Sequence, residues 1–175
     1  MAAMMVRALA AAEATARVAD LADILIDCVA GGASVSFMLP LSRARAEAFW
    51  RGVAEGVASG DRVLLVAEDA AGVLVGTVQV VWAPQENQPH RADVAKMLVR
   101  RDARRLGLGA RLMQAAEQAA EQAGKTVLVL DTVTDSDAAR LYERLGWVRV
   151  GDVPDYALWP AGGLVGTTFY YRHLS

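Results

Sequence analysis

The sequence predicts a mixed α/β chain, of the α+β kind, with a mostly antiparallel sheet, one parallel β-α-β unit and helices on both faces. Three observations predict it. Two helical stripes precede three apolar runs of strand length. The third of these runs, a glycine-broken basic stretch, a helical stripe and another apolar run then form a crossover unit, whose two strands must lie parallel. Two alternating runs close the chain. At 175 residues the chain fits one domain, read as residues 1–175, with no internal repeat and no linker.

The elements follow in order. "MMVRAL" at 4–9 reads as a short first strand. From Ala16 to Val29, Val18, Leu21, Ile24, Leu25 and Cys28 recur at helical spacing, and Gly31-Gly32 ends the stripe. A second helix over 42–58 has Ser42 as N-cap, buries Phe49, Trp50 and Val53, and stops at Gly60. "RVLLVAE" (62–68), "VLVGTVQVVW" (73–82) and "ADVAKMLVR" (92–100) form a meander, the first two joined by the turn residues "DAAG". "APQENQPH" (83–90) has two prolines and reads as a loop. A helix follows over 108–123, then a strand "TVLVLDT" (126–132) and a short helix "SDAARLYERLG" (136–146) with a serine cap and a glycine stop. "WVRVGDV" (147–153) and "TTFYYRHL" (167–174) read as strands joined by the Pro- and Gly-rich loop "PDYALWPAGG" (154–163).

Composition removes several function classes. No apolar run reaches the ~20 residues of a membrane helix, and Arg7 and Glu13 interrupt any signal-peptide core near the start, so the expectation is a soluble cytoplasmic protein with no membrane partner. A net charge of −2 is not that of a general nucleic-acid binder. The lone Cys28 excludes an intramolecular disulfide and a cysteine-rich zinc site, and its place on an apolar helical stripe makes it a core residue. His90 and His173 are too few and too far apart for a metal centre, so no metal is expected.

Against that balanced charge, "RRDARRLGLGARLM" (100–113) concentrates Arg100, Arg101, Arg104 and Arg105 ahead of Gly107 and Gly109. A helix N-terminus leaves about four backbone N–H groups free and carries roughly half a positive charge. Residues without Cβ let an anion approach that main chain, at about 1 kcal/mol of helix propensity each. The spacing Arg-x-x-Gly-x-Gly lacks the Lys-Ser/Thr of a nucleoside-triphosphate loop, and Leu112 stands where a dinucleotide fingerprint has its third glycine. A small polyanion is the expected partner of residues Arg104, Arg105, Leu106, Gly107, Leu108, Gly109 and Ala110.

"VAKMLVRRDARRLGLGARLM" resembles the cofactor segment of the GNAT superfamily of acyl-CoA-dependent N-acyltransferases, and "DAARLYERLGW" resembles the helix that follows it. More narrowly, "GGASVSFM", "RADVAKMLV", "LDT" and "VGDVPDYAL…GTTFYY" are similar to tabtoxin-resistance-type acetyltransferases. The resemblance implies acetyl-CoA as co-substrate and transfer of its acetyl group to the amine of a small molecule, such as an amino acid or an amino-bearing toxin or antibiotic. It also implies that Met97, Leu98 and Val99 splay from the neighbouring strand and offer main-chain N–H groups to the cofactor. Tyr142 matches the tyrosine that faces the thioester sulfur. Many members have an asparagine seven residues before that tyrosine. Here the position is Asp135, followed by Ser136, which is carried as the cofactor contact.

Acetyl transfer to an amine needs a deprotonated amine, a stabilised oxyanion and a proton for the departing thiolate. Tyr142 is the candidate acid. Asp93 and Asp131, at the ends of the strands flanking the expected parallel cleft, are candidate bases, and the same charges would equally hold a cationic substrate. By family analogy "GGASVSFMLP" lies over the acceptor side, with Phe37, Met38 and Trp82 as candidate walls of a substrate pocket. Two other readings share the cofactor site: a non-catalytic acyl-CoA sensor and a protein N-terminal acetyltransferase. An open edge among the last strands leaves both a monomer and a homodimer possible.

Overall fold

In the computed structural model, which describes residues 4–175, the chain runs β1 (Met5–Ala8), α1 (Ala11–Ala16), α2 (Val18–Ala30), α3 (Arg43–Ser59), β2 (Arg62–Glu68), β3 (Leu74–Trp82) and β4 (Arg91–Val99). A single 3-10 turn at Arg101–Ala103 leads to α4 (Leu108–Gln122), β5 (Val127–Val133), α5 (Asp137–Arg144), β6 (Val148–Leu158) and β7 (Leu164–His173). The strands form one sheet in the order β1-β2-β3-β4-β5-β7-β6. Every neighbouring pair is antiparallel except β4 and β5. Among the described residues, no helix is long and apolar enough to cross a membrane.

Two apolar cores sit on opposite faces of this sheet. On one face Leu108, Leu112, Met113, Ala116 and Ala120 of α4 pack with Val78, Val80, Ala92, Leu128 and Leu130, joined by Tyr142 from α5. On the other face α1, α2 and α3 cover Leu64, Val66, Leu74 and Leu98, with Trp50 fully buried. The spacing i, i+3, i+4 gives each helix one apolar stripe, and two stripes on two faces require a sheet with an apolar residue pointing each way.

Two elements differ from the sequence expectation. The helix expected over 16–29 is preceded by α1, and the two break at Arg17, whose guanidinium turns aside to Asp20 Oδ2 (2.5 Å) and the Gly72 carbonyl (2.8 Å). The alanine-rich "AAEATA" has no apolar stripe to announce it, and it buries only Ala14. At the other end, β6 continues through Pro154 to Leu158, where the sequence suggested a loop. A proline lacks the N–H a central strand needs, but β6 is an edge strand, and its register against β7 slips between Val153 and Ala157.

The feature that makes a site is the short β4–β5 ladder. The two strands pair only over Arg91–Asp93 with Val127–Val129, then separate. At the point of separation β4 bulges: Gln79 faces Ala95 and Thr77 faces Leu98, so one residue of β3 opposes two of β4, and Lys96 adopts a left-handed φ of 52°.

Candidate active site

Beyond Asp93, the backbone of β4 loses its β5 neighbour, and the opened wedge widens into a cavity of about 1030 Å³. Helix α4 begins at its mouth. Gly107 is the N-cap residue with φ 73°, and no side chain caps this helix, whereas Ser42 caps α3 and Ser136 caps α5. The first-turn N–H groups of α4 are thus left to an external acceptor.

The arginine cluster is divided by its surroundings. Arg100 pairs with Asp102 (2.7 Å) and Arg101 with Asp27 (2.9 Å), which fastens the 3-10 turn to α2. Arg104 and Arg105 line the cavity. Arg104 is oriented by the bond its Nε donates to the Val99 carbonyl (3.1 Å), and Arg105 has a left-handed φ of 64° in the loop before the helix.

The two glycines have different reasons. At Gly107 an added Cβ would meet nothing within 4 Å, so its requirement is the left-handed φ. At Gly109 a Cβ would lie 3.0 Å from Leu141 Cδ2 and 3.7 Å from Met97 Cε. Gly109 lines the cavity as well, and its lack of a Cβ also lets α4 pack against α5 and β4, a second constraint that the sequence reading did not assign.

Met97, Leu98, Val99, Leu108 and Ala110 line the same cavity. Leu106 does not: it is 55% exposed at the rim of the loop, because the left-handed residues on either side, Arg105 and Gly107, turn the chain away from the apolar core. Ser136 lines it, with its hydroxyl already accepting a hydrogen bond from the Ala139 N–H (3.1 Å) as the α5 cap. Arg140 and Arg144, on α5, add two cations to the lining that the sequence reading did not assign. Their signal was the spacing of four residues on one helix face, which is also that of a solvated helix.

Tyr142 is 6% exposed and borders the cavity from α5. Burial, with a smaller contribution from the negative charge of Asp131, pushes its phenol well above the ordinary value and keeps it protonated. Asp131 lies near the end of β5, lines the cavity, and shares the proton of the Thr167 hydroxyl (3.1 Å) with the nearer Thr132 carbonyl (2.8 Å). Asp93 is not part of this assembly. It sits in the closed, paired stretch of β4 opposite Val129, and its carboxylate is bound by Arg91 at 2.5 Å.

A second, smaller cavity of about 460 Å³ opens from the first and shares Ser34, Ser36, Asp131, Thr132 and Val133 with it. Phe37 and Met38 line it, facing Tyr156, Leu158 and Leu164 of the β6–β7 hairpin. Two hydrogen bonds hold the α2–α3 loop to that hairpin, from the Leu39 N–H to the Pro160 carbonyl (2.9 Å) and from Ser34 Oγ to the Leu158 carbonyl (3.3 Å). Trp82 lies elsewhere. It pairs with Ala92 at the closed end of the sheet, donates its indole N–H to the Gly60 carbonyl (2.9 Å), and supports the Lys125 ammonium at 5.0 Å from its ring centroid. Among the described residues, no group of three or more His, Cys, Asp or Glu is placed to hold a metal ion.

Sequence and structure comparisons agree with this architecture. Residues 30–147 match the model of the acetyltransferase (GNAT) family. The chain is 34% identical over 114 residues to an uncharacterized N-acetyltransferase in the hisH-hisA intergenic region of Azospirillum brasilense, a match spanning 64% of this chain and 66% of that protein. Its fold is similar to that of yncA from Salmonella typhimurium, solved with its cofactor acetyl-CoA (TM-score 0.80, 21% identity, 99% of this chain and 95% of that one). It is also similar to a phosphinothricin acetyltransferase from Sinorhizobium meliloti in complex with acetyl-CoA (TM-score 0.79, 17% identity, 98% and 89%).

Proposed function

The chain belongs to the acetyltransferase (GNAT) family, and from that premise we propose that it is a single-domain, cytoplasmic, acetyl-CoA-dependent N-acetyltransferase acting on a small-molecule amine. The observation that carries the reading is the uncapped N-terminus of α4, flanked by Arg104 and Arg105, opening onto the wedge between β4 and β5. These residues fit acetyl-CoA: free N–H groups and two cations suit its pyrophosphate, and the narrow slot bordered by Met97, Leu98 and Val99 suits its pantetheine arm. Bound there, acetyl-CoA supplies an activated acetyl thioester.

The chain's own residues then have separable tasks. Main-chain N–H groups of β4, released from pairing by the splay, donate to the acetyl carbonyl oxygen. Asp131, oriented by Thr167, takes a proton from the incoming amine, directly or through one water. Tyr142, held protonated by burial, donates its proton to the departing sulfur. Ser136 contacts the cofactor through its backbone, since its hydroxyl serves the helix cap. Phe37 and Met38 wall the acceptor. The similarity of "GGASVSFM" and the β6–β7 hairpin to tabtoxin-resistance-type enzymes supports an amino acid or an amino-bearing toxin or antibiotic as that acceptor.

The test is the thermal unfolding midpoint with acetyl-CoA, with ATP and NAD as controls, followed by thiol release over a panel of amines. A ligand at ~100 times its Kd stabilises by about 2.7 kcal/mol, a readily measured shift. A rise with acetyl-CoA and acceptor-dependent thiol release are expected. No rise at saturating acetyl-CoA would overturn the cofactor assignment, and a rise without thiol release from any amine would make the chain a sensor.

A further inference from the structure

Lys96 has no place in the chemistry above, yet it occupies a central position. It is the left-handed residue of the β4 bulge, and it lines the large cavity, half-buried. Its ammonium donates to Ser36 Oγ (3.2 Å) and lies 5.9 Å from the ring centroid of Phe49. Among the described residues no carboxylate forms an ion pair with it.

An ammonium that lines a cavity with one hydroxyl and the face of an aromatic ring as its partners keeps donor capacity for an anion, and partial desolvation lowers its proton affinity while the charge of Asp131 opposes the effect. Without an ion-pair partner, this cavity-lining cation borders the part of the cavity that leads to Phe37 and Met38, because its partner Ser36 lines both cavities. Ser36 accepts from Lys96, so its own proton remains free to donate.

Building on the acetyltransferase reading, we propose that Lys96 and Ser36 form an anion-binding subsite for the acceptor, so that the acceptor is a zwitterion: an amine that also carries a carboxylate or comparable acid group. Lys96 and Ser36 hold the acid group, and Asp131, close enough for its charge to act on both Lys96 and Tyr142, faces the amine. The bulge explains why a lysine reaches this spot. The extra residue in β4 projects a side chain toward α3 and the α2–α3 loop, where unbroken alternation would have continued the strand.

The experiment uses the whole chain and matched acceptors: the protein L-amino acids, their C-terminal amides and their decarboxylated amines, with thiol release from acetyl-CoA as the readout. The acetyl-CoA thermal shift is measured first on the same preparation. For at least one side chain, kcat/KM for the free acid is expected to exceed that of its amide by about 10-fold or more, the scale of a charge-assisted hydrogen bond. Lys96→Met should reduce that acid-to-amide ratio about 10- to 100-fold, chiefly through KM, and Lys96→Arg should restore part of it. A thermal shift without any acid outrunning its neutral counterpart, turnover absent altogether included, overturns the zwitterion proposal and leaves the cofactor reading standing. A Lys96→Met variant that loses acid and amide turnover equally overturns it as well, since a structural or proton-transfer role would produce that result. Absence of the thermal shift removes the cofactor reading and this proposal together.

Discussion

The N-termini of α4 and α5 border the same cavity and are built oppositely. Helix α5 begins at Ser136, whose hydroxyl satisfies the Ala139 N–H, and Asp137 follows in the first turn, paired with Arg140 at 2.5 Å. Helix α4 begins at Gly107 with no cap and no acidic residue in its first turn, and two arginines precede it. A helix end with its own cap and its own negative charge is complete by itself, whereas one with neither is stabilised when an anion arrives. The contrast extends to the cavity's two sides. The cofactor side is set mainly by one local stretch between Met97 and Ala110, with α5 across from it, and the acceptor side by the α2–α3 loop, the ends of β4 and β5, and the β6–β7 hairpin.

The largest expected effects lie where the two sides meet. Tyr142→Phe removes the proton donor and leaves its ring packed beside Trp147 and Tyr170, at centroid separations of 6.2 and 6.1 Å. Turnover should fall at least about 100-fold, the usual scale for general acid catalysis, with acetyl-CoA affinity within about 3-fold. Wild-type turnover in this variant would remove Tyr142 from the chemistry. The two aspartates separate next. Asp131→Asn should lower kcat/KM for the amine about 10- to 100-fold. Asp93→Asn, in the closed part of the ladder, should change it by less than about 3-fold. Equal losses in steady-state kinetics would show that Asp93 reaches the acceptor after all.

How much of this was legible follows from the same division. The cofactor side could be read because its signals are local: Arg104, Arg105 and Gly107 stand together in sequence, and a helix N-terminus is a property of a single segment. The packing constraint at Gly109 was not legible because Leu141 lies on another helix. Asp93 and Trp82 were misplaced for a related reason. Strand alternation shows which residues share a face, but not where two parallel strands part company, and the parting between Asp93 and Val94 decides what enters the cleft. Lys96 was passed over because a bulge has no marker in this sequence, with neither Gly nor Pro at the left-handed position. The strand beyond Pro154 was hidden by a residue that is a breaker in a central strand and harmless at an edge.

The smallest effects distinguish the two helix ends themselves. Ser136→Ala deletes a cap, and typically costs about 1 kcal/mol of stability, so the thermal midpoint should drop by a few degrees while the Kd for acetyl-CoA changes less than about 2-fold. Arg105→Ala should do the reverse, leaving the midpoint of the free protein nearly unchanged and weakening acetyl-CoA about 5- to 10-fold at low salt. Arg105 is exposed, so that loss should shrink as ionic strength rises and the screening length falls from ~10 Å at 0.1 M to ~3 Å at 1 M. Calorimetric titration at the two salt concentrations measures it. An Arg105→Ala effect that is independent of salt would mean the arginine shapes the loop and does not attract the phosphates. The open end of α4 would then owe its affinity to backbone N–H groups and the remaining lining cations, Arg104, Arg140 and Arg144.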